Sequence, residues 1–195
     1  MENKNRCAWA KKPAEIEYHD KEWGVPEYDD KKLFEFLILE SFQAGLAWHT
    51  ILKKRENFRK AFDDFDYNKI ADYSTDKINQ LITNPEIIRN KKKIEAAVKN
   101  ALVFKQIQRE FGSFKNYFWS FSNFTPIINR WKDASEVPAK TSLSDKISKD
   151  MKQKGFTFFG STICYAFMQA VGMVNDHEMD CFRYNELLNR TNKSH

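Results

Sequence analysis

Four side chains in two widely separated pairs have the chemistry of a metal site. Cys7 and His19 lie near the start of the chain with eleven residues between them, and His177 and Cys181 lie near its end with three between them. Two thiolates and two imidazoles make a Cys₂His₂ set that would close a tetrahedral zinc site and tie the two ends together. The His-x₃-Cys pair predicts a shared helical face, because positions i and i+4 coincide on a helix. The Cys-x₁₁-His spacing belongs to no common zinc-finger pattern. The same residues also fit buried free thiols beside unrelated histidines. Of the chain's seven Cys and His residues, four fall in these two pairs. Cys164, inside the apolar run 162–173, reads as a core thiol. His49 and His195 have no ligand-type neighbours in sequence and read as non-ligands.

A second candidate is a carboxylate. On a helix predicted over 30–44, Leu33, Phe36 and Leu37 cluster on one side, and Glu40 joins them at i+3 and i+4. Lys31 and Glu35 mark the polar side. A carboxylate in apolar surroundings must find a donor, or its charge is costly. The alternative is a Glu that reaches the surface at the last turn or pairs with a structural Lys or Arg. Trp9, Tyr18, Trp23 and Trp48 stand near these features in sequence. An aromatic slot with one carboxylate suits a flat, cationic, hydrogen-bonding ligand. Taken singly, each of these rings also reads as core.

The elements that would position these groups are helical. Apolar spacing follows the helical period almost throughout, with no repeat and no low-complexity segment. Helices are predicted over about 30–44, with Asp29 or Asp30 as N-cap and Gly45 as stop, and over about 50–62. Further helices follow over about 67–72, from Ser74 to about 83, over about 90–111, 114–121, 144–154 and 161–173. Residues 122–143, with Pro126 and Pro138, read as a loop. The fold class is all-α, with about eight helices in one unit spanning 1–195. The segment 84–90 carries Arg89 and joins two helices by a short turn, and Lys91, Lys92 and Lys93 open the next helix. This is similar to a helix–hairpin–helix element, which offers backbone N–H groups and cations to a DNA phosphate. A plain helical hairpin with a solvated basic edge is the alternative.

Composition bounds the function. The 195 residues carry a net charge of +5, a modest bias toward an anionic partner. No stretch approaches the roughly 20 apolar residues that span a bilayer. The start, Met1 to Lys12, is polar and unlike a secretory signal. Three cysteines make no disulfide framework, which fits a reducing cytoplasm.

Long ordered strings resemble the bacterial 3-methyladenine DNA glycosylase I family, within the helix–hairpin–helix glycosylase superfamily. They are Arg6-Cys7-Ala8-Trp9, the run from Tyr18 to Pro26, Lys32-Leu33-Phe34-Glu35, Leu39-Glu40, the run from Gln43 to Leu46, and the run from Ile51 to Asn57. Near the end come Lys154-Gly155-Phe156, Thr162-Ile163-Cys164-Tyr165, Met168-Gln169-Ala170 and the run from Val174 to His177. The resemblance covers about residues 6–184. It implies a glycosylase-like fold whose termini are joined by a structural zinc bound by Cys7, His19, His177 and Cys181. A helical lobe with the hairpin would occupy about 50–120, and the N- and C-terminal segments would form a zinc-clipped lobe. The implied activity is hydrolysis of the N-glycosidic bond of 3-methyladenine in double-stranded alkylated DNA. Glu40 would be the catalytic and base-recognising carboxylate, with Tyr18 and Trp48 stacking on the extruded base and Trp9 and Trp23 lining the pocket. Gln43 and Leu46 would probe the DNA, and Arg89, Lys91, Lys92 and Lys93 would meet its phosphates. A monomer without an obligate protein partner is expected.

The sequence departs from the family pattern in places. Position 15 is Glu where an aromatic is expected, Ser41 replaces a usual Gly, Pro85-Glu86 stand where the hairpin often has Gly, and His49 replaces an apolar residue. Two other readings compete. A non-enzymatic zinc-containing DNA-binding module explains the charge, hairpin and metal, but not a buried Glu40. A metallohydrolase with catalytic zinc needs three protein ligands plus water, whereas four are on offer.

Overall fold

The computed structural model describes residues 4–192, so His195 lies outside the described residues. Among these, ten α-helices carry the fold: α1 (Pro13–Lys21), α2 (Asp30–Gln43), α3 (Trp48–Ala61), α4 (Tyr67–Ala71), α5 (Thr75–Thr83), α6 (Lys91–Phe111), α7 (Phe114–Ser120), α8 (Ser142–Gln153), α9 (Ser161–Ala170) and α10 (Phe182–Asn192). The start signals read from the sequence hold where a polar side chain caps a helix. Asp29 accepts from Lys32 N, Ser74 from Lys77 N and Asn90 from Lys93 N.

The helical periodicity missed two elements. Helix α1 is short and opens on Pro13, and α10 falls in a polar segment with few apolar residues at helical spacing. Tyr184 and Leu187 anchor α10 in the core. Residues 161–173 do not form one helix, because α9 stops at Ala170 and Gly172 turns the chain at φ +69°. A Cβ on Gly172 would lie 2.3 Å from the carbonyl carbon of Val25, so this close crossing needs glycine.

Helix α2 is the axle of the fold, packing against α3, α6, α7 and α9. From Leu33 to Phe42 every side chain is buried, so the helix has no solvent face there. Glu35, assigned to a polar side, is therefore buried too. It accepts from Arg55 at 2.7 Å and lies 2.7 Å from Arg59. Arg55 also grips Glu22 with a two-pronged pair of 2.8 Å bonds, joining α1, α2 and α3. At the other end of α2, Asp30 accepts from Gln108 Nε2, Phe114 N and Lys115 N, and so caps α7 from a neighbouring helix.

The loop 122–143 is ordered by tertiary contacts. Ile127–Ile128 (β1) pairs in parallel with Val174–Asn175 (β2), and a single 3₁₀ turn forms at Ala134–Glu136. Asp30→Ala should lower unfolding free energy by about 1–3 kcal/mol, because it strands two amides at α7. Urea denaturation monitored by circular dichroism measures this. An unchanged midpoint would mean that water replaces the carboxylate.

Candidate active site and metal cluster

Helices α1, α2 and α3 converge on a cavity of about 550 Å³ whose wall includes Trp9, Tyr18, Trp23, Glu40, Gln43 and Trp48. The aromatic candidates thus share one wall with the carboxylate. The rings of Tyr18 and Trp48 lie 5.4 Å apart, Trp9 and Tyr18 6.2 Å, and Trp9 and Trp23 5.1 Å edge to face. The Tyr18 hydroxyl and the Trp48 indole N–H are buried without a partner inside the protein.

Glu40 projects from the last full turn of α2 and is 3% exposed. Its Oε2 has no hydrogen-bond partner. Burial pushes its pKa up to about 8. The structure therefore favours the buried alternative for this residue over a surface or ion-paired one.

The opposite wall was not legible in the sequence. Ala134, Val137, Pro138 and Ala139 of the former loop line the cavity together with Thr162, Tyr165 and Gln169 of α9. Asp176 holds this wall by accepting from Asn129, Trp131, Tyr165 and Gln169 at 2.6–2.8 Å. Two departures from the family pattern also meet here. Glu15 Oε1 lies 3.7 Å from His49 Nδ1, and both residues line the cavity. A third departure, Ser41, settles its hydroxyl on the Leu37 carbonyl at 2.8 Å.

The loop after α2 turns at Gly45, with φ +82°, and presents Leu46 40% exposed beside the cavity. The hairpin between α5 and α6 exposes Arg89, Lys91 and Lys92. Lys93 differs from its expected role as a phosphate contact. It is buried, and its ammonium donates to the carbonyls of Phe42 at 2.9 Å and Ala44 at 2.6 Å. The hairpin turn has a support that sequence reasoning missed: Lys54 of α3 donates to the carbonyls of Pro85 and Glu86.

The ligand atoms of Cys7, His19, His177 and Cys181 all lie within 4.8 Å of one another, and all four residues are buried. His177 and Cys181 do not share a helical face. They lie on the turn between β2 and α10, where the Cys181 amide donates to the Glu178 carbonyl. Gly24, at φ +75°, lets His177 pack closely, since a Cβ there would sit 2.8 Å from its ring. Both imidazoles are oriented by their Nδ1 atoms. His19 donates to Asp20 at 2.8 Å, and His177 donates to Asn175 at 3.0 Å. That leaves each Nε2 for a metal, and His177 Nε2 is buried with no partner in the protein. Burial pushes the His177 imidazole down to about 2, so the ring is neutral, the form that ligates metal. The four residues are placed to hold a metal ion.

The raised pKa of Glu40 sets a direction for stability. Its ordinary value is 4.5 and its folded value about 8, so the native state binds the extra proton between these limits. Its contribution is present below pH 4.5 and is lost as pH rises toward 8. Urea midpoints over this window should fall less with pH in Glu40→Gln than in the parent. Equal slopes would mean that Glu40 is ionised and solvated throughout.

The methyladenine glycosylase family profile matches residues 8–184. The chain is 47% identical to DNA-3-methyladenine glycosylase 1 of Escherichia coli over 92% of this chain and 96% of that protein. A crystal structure of 3-methyladenine DNA glycosylase I superposes with a TM-score of 0.89 at 45% identity, covering 91% of this chain and 98% of the other. A Tyr-to-Phe variant of a 3-methyladenine DNA glycosylase I, solved in complex with 3-methyladenine, superposes with a TM-score of 0.88 at 40% identity, covering 91% and 96%. The extent of these matches, laid over the cavity and its buried glutamate, shows that the chain belongs to the methyladenine glycosylase family.

Proposed function

We propose that this chain hydrolyses the N-glycosidic bond of 3-methyladenine in alkylated double-stranded DNA and leaves an abasic site. The observation that carries the reading is the unpartnered carboxyl oxygen of Glu40, buried in a cavity walled by Tyr18, Trp48, Trp9 and Trp23. A relative solved with 3-methyladenine bound supports the choice of base.

A base stacked in a duplex cannot reach such a cavity, so the nucleotide must leave the helix, at a cost of roughly a few kcal/mol. Leu46 is the exposed apolar side chain beside the cavity and is suited to fill the gap in the stack. Arg89, Lys91 and Lys92 supply cations for the phosphates. Methylation at N3 makes the adenine cationic. Tyr18 and Trp48 then gain a cation–π attraction of roughly 1–2 kcal/mol that unmodified adenine lacks. Glu40 binds and orients the base edge and stabilises its charge. Water adds to C1′ of the sugar as the C1′–N9 bond breaks. The bonding electron pair moves onto the ring and cancels its charge, and the water's proton passes to solvent. A cationic base is already a good leaving group, so no lysine nucleophile is required.

The metal held by Cys7, His19, His177 and Cys181 is read as zinc. With four protein ligands its shell would be closed, and it would supply a cross-link between the chain ends. In this reading the whole chain works as one helix–hairpin–helix glycosylase unit, a monomer acting in the cytoplasm without an obligate protein partner. Among the described residues, no helix is long and apolar enough to cross a membrane.

Chromatography of bases released from methylated duplex DNA tests the activity. Free 3-methyladenine without 7-methylguanine is the expected product, and Glu40→Gln should slow its release about 100-fold. DNA binding with no base release would instead favour a non-enzymatic binding module. Metal analysis should find one zinc per chain, and Cys181→Ser should lose it along with several degrees of thermal stability. A variant that keeps full stability but loses the chemical step would point to a catalytic metal.

A further inference from the structure

Lys93 stands in the first turn of α6, the positive end of that helix dipole, where a cation is disfavoured. It is also only 7% exposed, and desolvation lowers its pKa. Nothing in its own helix offsets these costs. The compensation comes from another helix: its ammonium donates to Phe42 O at 2.9 Å and Ala44 O at 2.6 Å. These carbonyls end α2, whose own last turn contains no basic residue. Lys93 therefore satisfies the negative end of α2 from outside.

The place it grips matters. Gln43, on the cavity wall, lies between the two bonded carbonyls, and the chain then turns at Gly45 to present the exposed Leu46. On the other side, Lys93 directly follows the exposed cations Arg89, Lys91 and Lys92 of the hairpin. One side chain thus spans from the surface that meets phosphates to the loop that meets the base stack.

We propose that Lys93 is a positioning residue that fixes the loop of Gln43 and Leu46 relative to the hairpin, so that seating on the phosphates delivers Leu46 to the stack as the base leaves. This rests on the glycosylase reading above. The binding of a free base needs the cavity alone, whereas release from a duplex also needs the loop at its correct height.

The test uses the full chain with its metal, as the parent, Lys93→Met, Lys93→Arg and Lys92→Met. Two quantities are compared: single-turnover release of 3-methyladenine at saturating duplex, and affinity for free 3-methyladenine followed by tryptophan fluorescence. Lys93→Met should slow release by about tenfold to 100-fold, with free-base affinity changed less than about twofold. Lys93→Arg, which keeps a cationic donor, should recover most of the rate. Lys92→Met, which removes one exposed cation of the hairpin, should raise the duplex concentration needed for half-saturation. Should Lys93→Met fail to fold, Lys93→Gln is held to the same comparison. Three results would overturn the proposal: parental release rates in the Met variant, a parallel fall in free-base affinity, or no recovery with Arg. A parent that releases no base at all would refute the glycosylase reading before any variant is made.

Discussion

Helix α2 is buried along most of its length, and burial obliges each polar group it carries to find a partner. The surrounding elements are arranged around that obligation. Asp30 is answered by Gln108 and the first amides of α7, Glu35 by Arg55 and Arg59, and the Ser41 hydroxyl by Leu37. The terminal carbonyls are answered by Lys93. Apart from that of Ser41, these bonds come from α3, α6 and α7, with α6 meeting α2 at both of its ends, so matching α2 constrains where the three helices can sit. Glu40 Oε2 is the exception, with no partner inside the protein. It shares that state with the Tyr18 hydroxyl and the Trp48 indole N–H, which line the same cavity, and unanswered polar groups gathered in one aromatic cavity are what a ligand site requires.

The metal cluster addresses a different problem. Glu178 accepts from the Ala8 amide, Asn5 meets Asp180 and Phe182, and Arg6 forks onto Asp20. The bonds of Asn5 and Ala8 to 178–182 bring the chain ends together, and the buried quartet takes two residues from each end. Because Trp9, Tyr18 and Trp23 are interleaved with or adjacent to Cys7 and His19, whatever fixes those two ligands also fixes three side chains of the cavity lining.

Much of the site could be read from residue type and period. The quartet was visible because Cys and His are scarce, and Glu40 because it recurs on the apolar face of a strongly periodic helix. The failures have physical causes. Periodicity presumes one solvent face, and α2 has none, so Glu35 was misplaced. The i, i+4 spacing of His177 and Cys181 reads as a helical pair, but a turn converges its side chains equally well. Lys93 was counted with its exposed neighbours because only tertiary structure reveals that the C-terminus of α2 lies beneath it. The cavity wall at 134–139 has no local signal, since Asp176 and a two-residue bridge hold it from a distance.

The titration of Glu40 has a further consequence. A carboxyl held near pH 8 by burial alone is uncharged in neutral water. A positive ring beside it makes the ionised form the favoured one, so admitting that ring expels a proton. The cavity then behaves as an ion exchanger with a single site, trading one small cation for one flat one at constant net charge. In the glycosylase reading a neutral adenine has no charge to trade, so this exchange adds to the cation–π preference for the methylated base.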